Sequence, residues 1–97
     1  MYNITADLDA NGEGQFALGI GDETFGQVKV EVHDSEMVLL DTVVPVKGFL
    51  HVIGNLLLQE IVEYAKMHGL KIITLSSFAR KQFSKNPAMY ADVWEHA

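Results

Sequence analysis

The residues best suited to chemistry crowd the stretch from Val44 to Gly54, where Lys47, Gly48, His51 and Gly54 fall close together. Two glycines, a lysine and an imidazole at a helix start can hold a pyrophosphate. Glycine lets the backbone amides approach the oxygens, and the positive end of the helix dipole lies there. The plainer reading is a connecting loop with a glycine turn and a mildly basic surface, since no full Gly-rich fingerprint is present. Ser76 and Ser77 form a second group. As a nucleophile, Ser76 needs an adjacent base and an orienting group; no His is close in sequence, although His33 or His51 can approach in space. As structure, either serine caps the helix that follows, worth about 1 kcal/mol. Asp41 or Glu31 can accept a proton from an amine held beside a sheet, or can be solvated strand charges. Arg80, Lys81 and Lys85 make the one basic cluster, either phosphate-facing or a solvated helix face. The four histidines (His33, His51, His68 and His96) lack tight ligand spacing, so no metal site is expected.

Composition narrows the classes. With 97 residues, one domain spanning 1–97 is expected. The absence of Cys excludes a disulfide framework, a zinc ribbon and a thiol nucleophile. Thirteen acidic against seven basic residues argue against a nucleic-acid surface. No apolar run approaches the length of a membrane span. The first residues show neither a basic nor an apolar leader pattern, so a cytoplasmic protein is expected.

These side chains need elements to hold them. Gln15 to Ile20 reads as a strand with Phe16, Leu18 and Ile20 on one face. Gln27 to His33 alternates with period two: Val28, Val30 and Val32 inward, Lys29, Glu31 and His33 outward. Met37 to Val44 is a third, more apolar strand. After Pro45 the period becomes helical, with Ile53, Leu57, Ile61 and Tyr64 at its centre. Gly69 ends that helix and lets Leu70 pack back on its last turn. Lys71 to Leu75 is a short buried strand. A helix then runs from Phe78 to Phe83, and Asn86-Pro87 starts another carrying Met89, Tyr90, Val93 and Trp94. Tyr90 and Trp94 read as core packing. The fold class is α/β (α+β): three antiparallel strands, a crossover helix, a parallel fourth strand and two C-terminal helices on one mixed sheet.

The segment Gly54-Asn55-Leu56, Glu63-Tyr64-Ala65-Lys66, Gly69-Leu70-Lys71-Ile72-Ile73, Ser76-Ser77-Phe78-Ala79 and Tyr90-Ala91-Asp92-Val93-Trp94 resembles the small, single-domain branch of the GNAT N-acetyltransferase superfamily. The likeness extends more weakly upstream through the three strands and Asp41-Thr42. It implies an acetyl-CoA co-substrate, no metal, and acetyl transfer to an unknown amine. It also implies that the pantetheine arm pairs with the third strand at Thr42, Val43 and Val44. The pyrophosphate would then meet Lys47, Gly48, His51, Ile53, Gly54 and Asn55, with Ser77 and Arg80 near the adenosine 3′-phosphate. Three departures stand out. Phe49 to Gly54 replaces the family's Gly-x-Gly-x-Gly, with Leu50 and Val52 at glycine positions. Ser76 occupies the place of a frequent Cys, and Asp41 that of a His. They leave an alternative open: a catalytically degenerate, GNAT-shaped module for CoA binding, protein interaction or dimerisation. A monomer or a homodimer fits either reading.

Overall fold

In the computed structural model, which describes residues 1–95, the Val28–Val30 alternation builds the central strand of a five-stranded sheet. The elements run β1 (Asn3–Leu8), β2 (Glu13–Ile20), β3 (Glu23–His33), β4 (Glu36–Val43), α1 (Leu50–Met67), β5 (Lys71–Thr74) and α2 (Ser77–Lys85). Spatial order follows chain order, β1 to β5. The first four strands are antiparallel, and β5 pairs parallel to β4, so α1 is the crossover. The fold class is the expected mixed α+β sheet.

One face of the sheet carries the core. Phe16, Leu18, Val28, Val30, Met37, Leu39 and Ile72 are buried there beneath Leu57, Ile61 and Ala65 of α1 and Ala79 and Phe83 of α2. Burial of such side chains is the main favourable term, about 1.5–3 kcal/mol for each. Among the described residues no helix covers the other face: Lys29 and Asp41 are exposed, and Gln15, Gln27 and Glu31 half-exposed. α1 closes as its sequence requires. Gly69 takes φ +65°, a left-handed value that suits glycine, and the Leu70 amide reaches back to the Ala65 carbonyl at 2.8 Å.

Several features differ from the sequence expectation. A fourth antiparallel strand, β1, lies at the sheet edge. Ile4 and Leu8 touch the core but Ala6 between them is exposed, so its alternation is too shallow to read as a strand. Ile20 is on the expected side yet 48% exposed, because it lies at the last pair before the hairpin turn. Asn86 is the C-cap of α2 rather than the start of another helix. From Pro87 to Val93 the chain runs in turns closed mainly by short bonds, such as Met89 N–H to the Asn86 carbonyl at 3.0 Å. This compact path lets Trp94 return to β5, where the Ile72 amide meets the Val93 carbonyl at 2.6 Å and Glu95 donates to Ile72 at 2.8 Å. A continued helix would carry those residues away from the sheet.

One irregularity fixes the orientation of everything downstream. Val30 faces Leu39 and Lys29 faces Asp41, so Leu40 is an extra residue on β4. By simple alternation with Met37 and Leu39, Asp41 would point at the helices. The bulge reverses this: Thr42 stands opposite buried Val28, and Asp41 stands opposite exposed Lys29 on the bare face.

Candidate donor cleft

β4 and β5 are paired only from Glu36↔Lys71 to Leu39↔Thr74. There the Leu39 carbonyl accepts both the Leu75 and the Ser76 amides, each at 2.9 Å, and the chain leaves the sheet to begin α2. β4 continues, still paired with β3, as far as Val43. A wedge therefore opens between the end of β4 and the start of α2. Two helix N-termini meet at the same end. α1 begins at Leu50 with no side-chain cap and no acidic residue in its first turn. Helix geometry leaves the amides of Leu50, His51 and Val52 without intrahelical partners, whereas that of Ile53 already donates to the Phe49 carbonyl at 2.9 Å. Such an uncapped end attracts anions.

α1 and α2 approach through a glycine and a ring. A Cβ on Gly54 would lie 2.5 Å from a ring carbon of Phe78, so the residue at 54 must be small for α1 to seat against that side chain. The His51 ring is 5.7 Å from the Phe78 ring, tilted by 60°. Gly26 plays the matching part below, where a Cβ would be 2.6 Å from an Ile53 methyl and 3.3 Å from Val44.

The expected site residues divide accordingly. Thr42 and Ser76 come together, with their hydroxyl oxygens 2.9 Å apart. Ser76 is the N-cap of α2: its Oγ accepts the Ala79 amide at 3.3 Å. Ser77 is the exposed first residue of that helix. Lys47 and Gly48 lie in the exposed loop before α1, with Gly48 at φ +89°. Val43 faces outward opposite Gln27, Val44 is half-buried over Gly26, and Asn55 is half-buried one turn into α1. His51 is exposed at the helix mouth. Ile53 and Gly54 face the interior, Ile53 packed by Gly26 and Gly54 beside the Phe78 ring. Arg80 turns to β5, donating from Nη2 to the Thr74 carbonyl at 3.2 Å in a groove shared with Ile73 and Trp94. Asp41 is on the bare face, across the sheet from Ser76. Glu31 is held by His33 at 2.9 Å.

The side chain of Thr42, the ring of Phe78 and the bulge at Leu40 are the parts that the sequence reading missed. The bulge has no composition signature. Phe78 follows a Ser-Ser cap signal and shows only as a helix opener. Among the described residues, no three His, Asp or Glu come together as a metal site, and no helix is long and apolar enough to cross a membrane. His96 lies outside the described residues.

The shifted proton affinities are at the opposite end of β4. The Glu95 side chain hydrogen-bonds Glu36 and its charge adds to the effect, raising the Glu36 carboxyl above its ordinary 4.5. Bonding to Glu31 raises His33 above 6.5, with Glu13 and Asp34 adding to the attraction. Each group holds its proton in the folded chain over a range where the unfolded chain has released it, so stability falls as pH rises through both ranges. Gln mimics the protonated carboxyl. Glu36→Gln should therefore melt above the wild type at pH 7, and the gap should close near pH 4 in a thermal-denaturation series.

Comparison with known proteins agrees with this geometry. The family model described as GCN5-related N-acetyl-transferase matches residues 15–93. The NMR solution structure of a GCN5-like protein from Staphylococcus aureus, itself proposed as an N-acetyltransferase, superposes with a TM-score of 0.73 at 26% identity. The match covers 98% of this chain and 89% of that one. No curated protein matches the chain. A model covering most of the sequence, together with a wedge between parallel strands and two helix starts facing it, leads to one conclusion: the chain belongs to the GCN5-related N-acetyltransferase family.

Proposed function

We propose that the protein is an acyl-CoA-dependent N-acetyltransferase that moves the acetyl group of acetyl-CoA to an amine. The observation that carries this reading is the parting of β4 from β5 beside the uncapped start of α1. The diphosphate of the donor sits on the Leu50, His51 and Val52 amides, with Lys47 beside it. Leu50 and Val52, although larger than glycine, are 39% and 59% exposed, and a side chain there does not remove the N–H donors of that turn. The pantetheine arm runs along β4 from Val44 toward Thr42. The amine attacks the thioester carbonyl directly; a C–N bond forms, the C–S bond breaks, and holding the two reactants in line supplies most of the rate. An amine arriving over the bare face meets Asp41, which takes its proton. Ser76 needs no nucleophilic part in this scheme, its hydroxyl being shared between Ala79 and Thr42. A cytoplasmic setting goes with that donor.

Isothermal titration with acetyl-CoA, followed by thiol release with a panel of amines, tests the proposal. Heat of binding and amine-dependent release of CoA are expected; no heat at millimolar ligand overturns it. One observation favours a second reading, an interaction module without catalysis: Phe49 is 50% exposed beside Leu50 and Val52. Under that reading the chain forms a dimer that Phe49→Asp separates in sedimentation without changing CoA binding.

A further inference from the structure

The hydrogen bond between Thr42 Oγ1 and Ser76 Oγ crosses the wedge just past the point where β4 and β5 part. Its two ends belong to different rigid elements. Thr42 is fixed by pairing with Val28 on β3. Ser76 is 5% exposed and fixed by the helix it caps. At this level, among the described residues, the backbone bonds from β4 to the α2 side are the Leu75 and Ser76 amides on the Leu39 carbonyl. The Ser76 hydroxyl has one proton and two lone pairs. One lone pair takes the Ala79 amide, and the bond to Thr42 uses either the proton or the second lone pair. The two hydroxyls thus hold each other across the wedge, and anything entering alongside β4 at Thr42 must first separate them.

We propose that this hydroxyl pair is a bolt across the donor cleft, broken each time an acyl-CoA enters, and that Thr42 is a positioning residue whose hydroxyl limits donor affinity. The idea rests on the acyl-CoA reading above. Ser76, still holding Ala79, then offers its freed hydroxyl to the polar pantetheine arm. Such a bond has a net worth of about 1 kcal/mol, or about fivefold in an equilibrium.

Thr42→Val keeps the shape and removes the hydroxyl, Thr42→Ala removes the same hydroxyl if valine does not fit, and Thr42→Ser restores it. Two measurements apply: amide hydrogen exchange of the unliganded protein, and the dissociation constant of acetyl-CoA by titration. Thr42→Val should exchange about fivefold faster at the Leu75 and Ser76 amides and bind acetyl-CoA about fivefold more tightly. Ala79 exchange should stay unchanged because Ser76 still caps it, and Thr42→Ser should match the wild type in both measurements. Unchanged exchange at Leu75 and Ser76 removes the bolt, whatever acetyl-CoA does. Faster exchange with equal or weaker acetyl-CoA binding removes the donor's route through it. Faster exchange in a protein whose wild type takes up no acetyl-CoA overturns the acyl-CoA reading and, with it, the donor's part in opening the bolt.

Discussion

Phe83→Ala should lower the stability of the domain by about 3–5 kcal/mol, the range for removing a buried phenyl group. The melting temperature should fall on the order of 20 °C in a domain this small. Phe83 has no exposed surface. Its ring stacks on Tyr90 with centroids 4.2 Å apart and meets Trp94 edge-on at 5.5 Å. It is therefore the peg on which the turns after α2 are hung, and those turns bring Val93 and Glu95 to β5. The loss should also be visible locally. Trp94 fluorescence, with the indole N–H bonded to Thr74 Oγ1 at 3.2 Å, should shift red before the far-UV signal changes. A drop below 1 kcal/mol, or coincident transitions at the wild-type temperature, would show that the C-terminal segment is held by something else.

Val52→Glu should move stability and donor binding in opposite directions. The position is 59% exposed in the first turn of α1, where no acidic residue now stands. A carboxylate there complements the helix dipole and should stabilise the fold by about 0.3–1 kcal/mol. The same charge faces the three amides proposed to hold the diphosphate, and repulsion near a partly screened surface should weaken acetyl-CoA roughly tenfold. Val52→Gln, neutral and of similar length, should bind within about twofold of the wild type, since only the charge is at issue. Differential scanning calorimetry and titration on the same samples read both effects. Equal weakening by Glu and Gln would point to a steric obstacle. No weakening by Glu would move the phosphates away from this helix end.

Much of the frame could be read from the chain because periodicity reports burial. The Val28, Val30 alternation marked β3, the Ile53–Leu57–Ile61 spacing marked α1, and Gly69 followed by Leu70 marked its end. Ser76 gave a cap signal, and the cap is there. What escaped is what pattern cannot encode. An edge strand such as β1 buries little, so its alternation is weak. A single extra residue at Leu40 changes which face Asp41 and Thr42 occupy, yet leaves the apolar run of β4 looking continuous. Gly54 suggests a phosphate loop in sequence; only the neighbouring Phe78 ring, far along the chain, reveals a packing role. Likewise the turns after Asn86 share a start signal with a helix, and the pull of Ile72 on the returning chain decides otherwise.

Each ribbon of the sheet lies beside its neighbour in chain order, and this bears on how the molecule assembles. No strand has to be threaded between two that already exist, so the first four can zip hairpin by hairpin with little loop entropy to overcome. The closure that spans a long stretch of chain is the docking of β5 against β4, after all of α1 has been made. A nascent chain halted before Lys71 would thus possess its hairpins and the β4 wall of the cleft but not the wall on the α2 side. Competence to bind would arrive late in synthesis, with the final quarter of the polypeptide.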